Sequence, residues 1–272
     1  MLGVLGVFGV LGDLADLVLP AACAGCAADR TPLRHGVCAG CATVLEALRP
    51  FRTVPTPPPP GMPPCVAVGA YQGPLRGVLL GYKEKGRHRL APPLGTLLAT
   101  AVAELAPARR PVTLIPVPST AAAVRARHGD HMARLAAQAV RRLRGAGWNA
   151  GMARPLEALP RPDSASLSVI ERRAAAESSL RIRSRRIGFS RHARPIEGTL
   201  VVVDDIVTSG ATLAAVRRRL EEVDMQVAGA AVLAATQLRR AVSPDCRPVV
   251  PKGRKVNDQL SETRGDAGAS AR

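Results

Sequence analysis

Thr199-Leu-Val-Val-Val-Asp204-Asp205-Ile-Val-Thr208-Ser209-Gly210-Ala211-Thr212-Leu213 is the stretch whose reading decides the fold. Its apolar start, residues 199–203, reads as a buried strand that carries two adjacent carboxylates to its C-terminal tip. A small hydroxyl-rich turn then opens a helix over residues 213–223. This combination suits a sugar phosphate. The backbone N–H groups of Thr208, Ser209, Gly210, Ala211 and Thr212, with three side-chain hydroxyls, can wrap an anion at the positive end of the helix dipole. Gly210 lets the backbone approach closely. Asp204 and Asp205 then lie about one ribose from the phosphate, placed to accept hydrogen bonds from vicinal hydroxyls. An ordinary strand end followed by an ordinary helix cap would leave this order of residue types unexplained.

Working outward, short β-rich runs alternate with longer helical ones. Residues 65–71, 112–116 and 227–236 read as strands, and residues 92–105 and 133–143 as helices. Continuous apolar strands separated by helices imply a parallel sheet covered on both faces, an α/β domain expected over residues 65–240. Ligands in such sheets bind at the carboxyl ends of the strands, which directs attention to the loops after Pro116 and after Val203.

Four of the six cysteines form the pattern Cys23-x2-Cys26-x11-Cys38-x2-Cys41. Paired knuckles at this spacing place four thiolates around one tetrahedral zinc, and Gly25 and Gly40 fit the tight turns inside them. The site would be structural, closed by protein sulfur; a degenerate ribbon or redox-active thiols are the competing readings. Cys65 and Cys246 stand alone and read as buried or incidental thiols. A short helical stretch, residues 42–48, follows the second knuckle. Residues 50–64 then hold eight prolines, a composition expected to form neither helix nor sheet but a stiff spacer. The expected organisation is an N-terminal helix and four-cysteine zinc ribbon (1–49), a Pro-rich linker (50–64), the α/β domain (65–240) and a disordered basic tail (241–272).

Composition narrows the functional classes. The 272 residues carry a net charge of +17, are 47% hydrophobic and only 2% aromatic. A disordered chain and a disulfide miniprotein are excluded, and the scarcity of rings disfavours a reader that stacks bases on aromatic platforms. Residues 139–194 concentrate the charge, with 13 Arg against 4 acids. That field would attract phosphate-bearing partners; a G+C-rich coding sequence explains an arginine surplus equally well. The apolar start, residues 1–10, has no Lys or Arg before it and is followed by Asp13 and Asp16, so it reads as part of an amphipathic helix that includes Leu11, Leu14, Leu17 and Val18. The expected location is cytoplasmic. His128 and His131 read as exposed loop histidines, and Trp148 as a core or helix-end contact.

The segment at Asp204 resembles the 5-phosphoribosyl-1-diphosphate (PRPP) binding motif of type I phosphoribosyltransferases. The rest of the chain, from about Leu17 to about Thr236, resembles the competence-associated ComF/GntX family, which joins a cysteine ribbon to such a domain. The likeness is carried by Leu-Pro before the knuckles, Tyr71-Gln-Gly-Pro-Leu-Arg76 with Lys83 downstream, Ile115-Pro-Val-Pro118, Arg125 and Arg127, Leu167-Ser-Val-Ile-Glu171-Arg172-Arg173, and the Asp204 motif. It implies that Asp204 and Asp205 hold the ribose hydroxyls and that residues 208–212 hold the 5-phosphate. Ser119 and Thr120 would lie against the pyrophosphate, with Arg125, Arg127 and Lys83 as charge partners. Magnesium would be held largely by substrate oxygens and water. Departures fall in the substrate-facing loops: Arg127-His128-Gly129-Asp130-His131 stands where the family often has Arg-Gly-Phe-Asn-Gln, and Ser164 and Ala175 replace common Gln and Asn. Thr208 stands where purine salvage enzymes of this fold carry an acid, which disfavours purine salvage. Two functions follow as expectations: transfer of phosphoribose to a nitrogen acceptor with Mg²⁺, or a non-catalytic PRPP- or nucleotide-sensing role in competence or nucleic-acid handling. The resemblance leaves the acceptor, the general base and the oligomeric state open, with a homodimer among the choices.

Overall fold

The central sheet has six strands. The computed structural model describes residues 22–107, 110–160, 179–183 and 198–236. The expected helix near residues 11–18, the 167–173 segment, Ser164, Ala175, Cys246 and the tail lie outside the described residues. Strands β4 (Cys65–Ala70), β10 (Val227–Ala235), β9 (Thr199–Val207), β5 (Val112–Pro116) and β6 (Ala150–Met152) are parallel. Only β3 (Phe51–Thr53) runs antiparallel, at the β4 edge. This is the expected α/β architecture: a mostly parallel sheet flanked by helices and preceded by a cluster of four cysteines.

The inner strands β4, β10 and β5, and β9 as far as Val203, are mainly apolar because both faces are covered. Val66, Val68, Val201, Val203, Ala231 and Leu233 face a layer built from α2 (Gly73–Lys83), α3 (Ala91–Ala103) and α5 (His131–Gly145). Their neighbours Cys65, Ala67, Leu200, Val202, Ala230 and Val232 face the opposite layer, which holds α6 (Ala211–Glu221). With few rings available, the core gains density by close helix approach: a Cβ at Gly95 of α3 would overlap Gln138 Cβ on α5. Trp148 packs against the first layer, as expected.

Helix α2 escapes a reading from sequence because Gly73, Gly77 and Gly81 depress helix propensity. Packing explains Gly77 and Gly81. A Cβ at Gly77 would lie 2.5 Å from the carbonyl oxygens of both Ala24 and Gly25, so the first cysteine knuckle rests directly on α2. Arg87 Nη1 donates to Ala22 O at 2.7 Å and ties down the same knuckle. The first knuckle leads through the β1–β2 hairpin (Leu33–Arg34, Val37–Cys38) to the second, which opens α1 (Ala39–Glu46), and Leu45 of that helix joins the same core.

The Pro-rich stretch differs from expectation in two ways. Phe51–Thr53, which contains no proline and so keeps its N–H donors, pairs with β4 as a sheet edge. Farther on, Pro59 and Met62 pack against Gly210; a Cβ there would meet Met62 Sδ at 2.5 Å. Among the described residues, no helix is long and apolar enough to cross a membrane.

Candidate functional site

Strand β9 runs to Val207, four residues past the expected end, so Asp204 and Asp205 are strand residues and not its tip. Successive strand side chains point to opposite faces, and this splits the acids. Asp204 lines a small solvent-open hollow together with Ile206, Val207, Thr208, Ser209, Gly210, Ala211, Thr212 and Leu213. Asp205 faces the α2–α5 side, 6% exposed.

The hollow has the character of an anion cradle. Gly210 is left-handed at φ 74° and is the N-cap residue of α6, with no side chain of its own to cap the helix. Ser209 Oγ accepts from Ala211 N at 3.4 Å, while Thr208 and Ser209 are exposed. The opening N–H groups of α6 therefore face the hollow with the helix dipole behind them.

Around Asp205 three elements converge. Lys83 Nζ, from the last residue of α2, approaches Asp205 Oδ2 at 2.6 Å. His131 Nε2, from the first residue of α5, lies 3.5 Å from the same oxygen. The other ring nitrogen, Nδ1, is 3.4 Å from Ser119 Oγ, in the loop after β5. Tyr82 OH donates to His131 O at 2.9 Å and fixes the backbone there. Asp130 caps α5 by accepting from Ala133 N at 3.0 Å, and Arg154 Nη2 holds its other oxygen at 2.5 Å.

Burial drives the two carboxyls apart. It pushes Asp204 well above the ordinary carboxylate range, and the charge on Asp205 adds to the effect. Burial alone would raise Asp205 too, but His131 and the Lys83 ammonium outweigh it and hold the group below that range. Asp205 is thus the ionised member and Asp204 the reluctant one. Cys65, across from Asp204, is pushed up to about 12 by burial and by that carboxylate, which suits an inert core thiol.

The predicted site residues fall into two groups. Residues 204 and 208–212 form one hollow, and Lys83, Asp205 and Ser119 meet around His131. Thr120 accepts from Ala123 N at 3.2 Å and so caps α4 (Ala121–Ala126). Arg127 Nη2 turns to Glu84 Oε1 at 3.5 Å, one residue beyond Lys83, and Arg125 is exposed. The expectation of an exposed loop histidine at His131 is corrected: the residue is 6% exposed and central. Asp130 followed by an apolar-periodic helix marks an N-cap, and that signal places His131 at a helix start facing the sheet.

The cysteine cluster stands apart from this chemistry. The four Sγ atoms of Cys23, Cys26, Cys38 and Cys41 all lie within 4.8 Å of one another. Cys26 and Cys38 sulfurs are 3.8 Å apart, and a tetrahedron of sulfurs about 2.3 Å from zinc has edges of about 3.8 Å. Burial would raise Cys23, but N–H donors including Cys38 (3.2 Å) and Gly25 (3.4 Å) bring it down to about 6. Cys41 is pushed up by burial and by the three thiols crowding it. A crowd of sulfurs with one ready thiolate is the donor set that a thiophilic cation such as Zn²⁺ relieves.

Comparison with known families agrees with this geometry. Residues 144–250 match the phosphoribosyl transferase domain, a span that includes β9, the 208–210 loop, α6 and β10. Over that span the chain is similar to this family. No curated protein matches the chain.

Proposed function

We propose that the chain is a ComF/GntX-like phosphoribosyltransferase that binds PRPP with Mg²⁺ and transfers its phosphoribosyl group to a nitrogen acceptor. The observation that carries this reading is the α6 opening that shares one hollow with the Asp204 carboxyl, next to the ionised Asp205 on the same strand. The match to the phosphoribosyl transferase domain supports phosphoribosyl transfer from PRPP as the general chemistry. Residues 208–212 would hold the 5-phosphate through backbone N–H groups, and Asp204 and Asp205 the ribose hydroxyls. Ser119 and Thr120 would face the pyrophosphate.

In the reaction the C1–O bond to pyrophosphate breaks, a C1–N bond forms, and the acceptor nitrogen gives up its proton. Magnesium, when bound with substrate, supplies charge neutralisation at the leaving group. The residues of the chain would orient the ribose, and Lys83 would serve as a charge partner of the leaving pyrophosphate, where negative charge develops. The four-cysteine cluster would hold zinc and fix the knuckle against α2. Pyrophosphate release from PRPP, measured with a panel of amines and heterocycles, tests the proposal: turnover abolished by Asp205→Asn supports it, and no release with any acceptor contradicts it.

The reading as a PRPP- or nucleotide-sensing protein in competence draws on the arginine-rich segment, of which Arg141 and Arg144 are exposed on α5. Steeply salt-dependent DNA binding that ignores Asp204→Asn would favour it.

A further inference from the structure

We infer that His131 is a positioning residue that takes up a proton when an anionic ligand reaches Ser119, and that this uptake frees the Ser119 hydroxyl to donate to the ligand. The inference rests on the proposed placing of pyrophosphate against the loop after β5.

The geometry sets a donor count. Asp205 is ionised and can only accept, so the His131 nitrogen facing it, Nε2 at 3.5 Å, carries hydrogen. A neutral imidazole has one N–H. Nδ1 is then bare and takes the Ser119 hydroxyl proton across 3.4 Å. In that state Ser119 shows a ligand only lone pairs, which repel phosphate oxygens. Protonated His131 reverses the bond: Nδ1–H donates to Ser119 Oγ, and the Ser119 proton turns to the ligand. The Tyr82 hydrogen bond to His131 O at 2.9 Å and the Asp130 cap fix the backbone from which the buried ring projects. Contacts of this length tighten when a ligand closes a site.

The charges around the ring are mixed. Asp205 on β9 favours the cation, with Asp204 behind it. Lys83 on α2 opposes it and is itself drawn to Asp205 at 2.6 Å. Tyr82, also on α2, is held neutral, pushed up to about 12 by burial. On the α5 side, Asp130 is paired with Arg154 at 2.5 Å, and Arg134 is 2.6 Å from His88. The ligand's own negative charge, arriving at Ser119, tips this balance toward uptake.

The test is titration calorimetry of the full, zinc-loaded chain with Mg²⁺ and PRPP, at about pH 7.5, above the ordinary histidine range, in buffers of different ionisation enthalpy. The slope against buffer enthalpy counts protons taken up. Wild type is expected to take up as much as one proton more than His131→Gln, whose neutral amide cannot be protonated, and its affinity to fall by up to tenfold per pH unit more steeply than the variant's. Ser119→Ala should lose the same excess. Ribose 5-phosphate, which lacks pyrophosphate, should show none with wild type, a comparison that needs no variant. Equal proton counts for wild type and either variant, or for both ligands, overturn the inference and leave PRPP binding intact. No binding of PRPP by wild type overturns the phosphoribosyl reading and this inference together.

Discussion

Removing the Lys83 ammonium should strand a buried charge, and the size of the effect follows from the geometry. Lys83 Nζ and Asp205 Oδ2 are 2.6 Å apart, with side-chain exposures of 28% and 8%. At an effective dielectric near 20 their gross attraction is about 6 kcal/mol, most of it offset by desolvation. Lys83→Met leaves Asp205 with His131 alone, a cost of about 2–3 kcal/mol, below the range for fully buried pairs because water reaches the lysine side. Asp205→Asn costs about 1 kcal/mol, since the lysine swings to solvent. The double variant should cost little more than Asp205→Asn, giving a coupling of about 2 kcal/mol. Urea denaturation of the zinc-loaded chain at pH 7 measures all four proteins, and Lys83→Met should lower the midpoint by about 1 M. Because Asp205 is held below its unfolded value, its pairing is fully present above about pH 4 and fades as pH falls through the folded value. Additive single effects, or a Lys83→Met cost no larger than that of Asp205→Asn, would refute the reasoning.

Three further outcomes are expected. Asp204 is raised by burial, so ionising it costs stability as pH rises above the ordinary carboxylate range; Asp204→Asn should leave stability unchanged near pH 4 and raise it by about 1–2 kcal/mol at pH 8, read from paired denaturation curves. Gly77→Leu should speed metal release to a chromophoric chelator and lower the melting temperature, because its side chain would enter the carbonyls of Ala24 and Gly25, whereas Gly40→Ala, with nothing within 4 Å, should change neither. Titrating the metal-free chain with Co²⁺ should give a thiolate charge-transfer band that saturates at one ion per chain, and Cys23→Ser should remove most of it; a flat absorbance would contradict a tetrathiolate site.

The four inner strands of the sheet are legible in the sequence because they are mostly buried: the run of residues 112–116 has the bounds the structure shows, and β4 and β10 match to within a residue, whereas the short, partly exposed edge strands β3 and β6 leave no such run. The hollow is legible because its lining, residues 208–212, is one unbroken run of small and hydroxyl residues at a helix start. What stays hidden is tertiary. Helix α2 owes Gly77 and Gly81 to the cysteine knuckle it carries, so propensity argues against the element that delivers Lys83. β9 overruns its expected end because Asp204 and Asp205 are each accommodated on a different face of the sheet. His131 becomes a site residue only through Ser119 and Asp205, 12 positions before it and 74 beyond it in the sequence, a meeting that no local pattern encodes.

The central claim is that β9 and the loop after it form a PRPP site. Titration calorimetry of the zinc-loaded chain with PRPP and Mg²⁺, wild type against Asp204→Asn/Asp205→Asn, tests it most directly. Micromolar binding by wild type and its loss in the double variant is the predicted result; absence of binding in both, or equal binding by both, would contradict it.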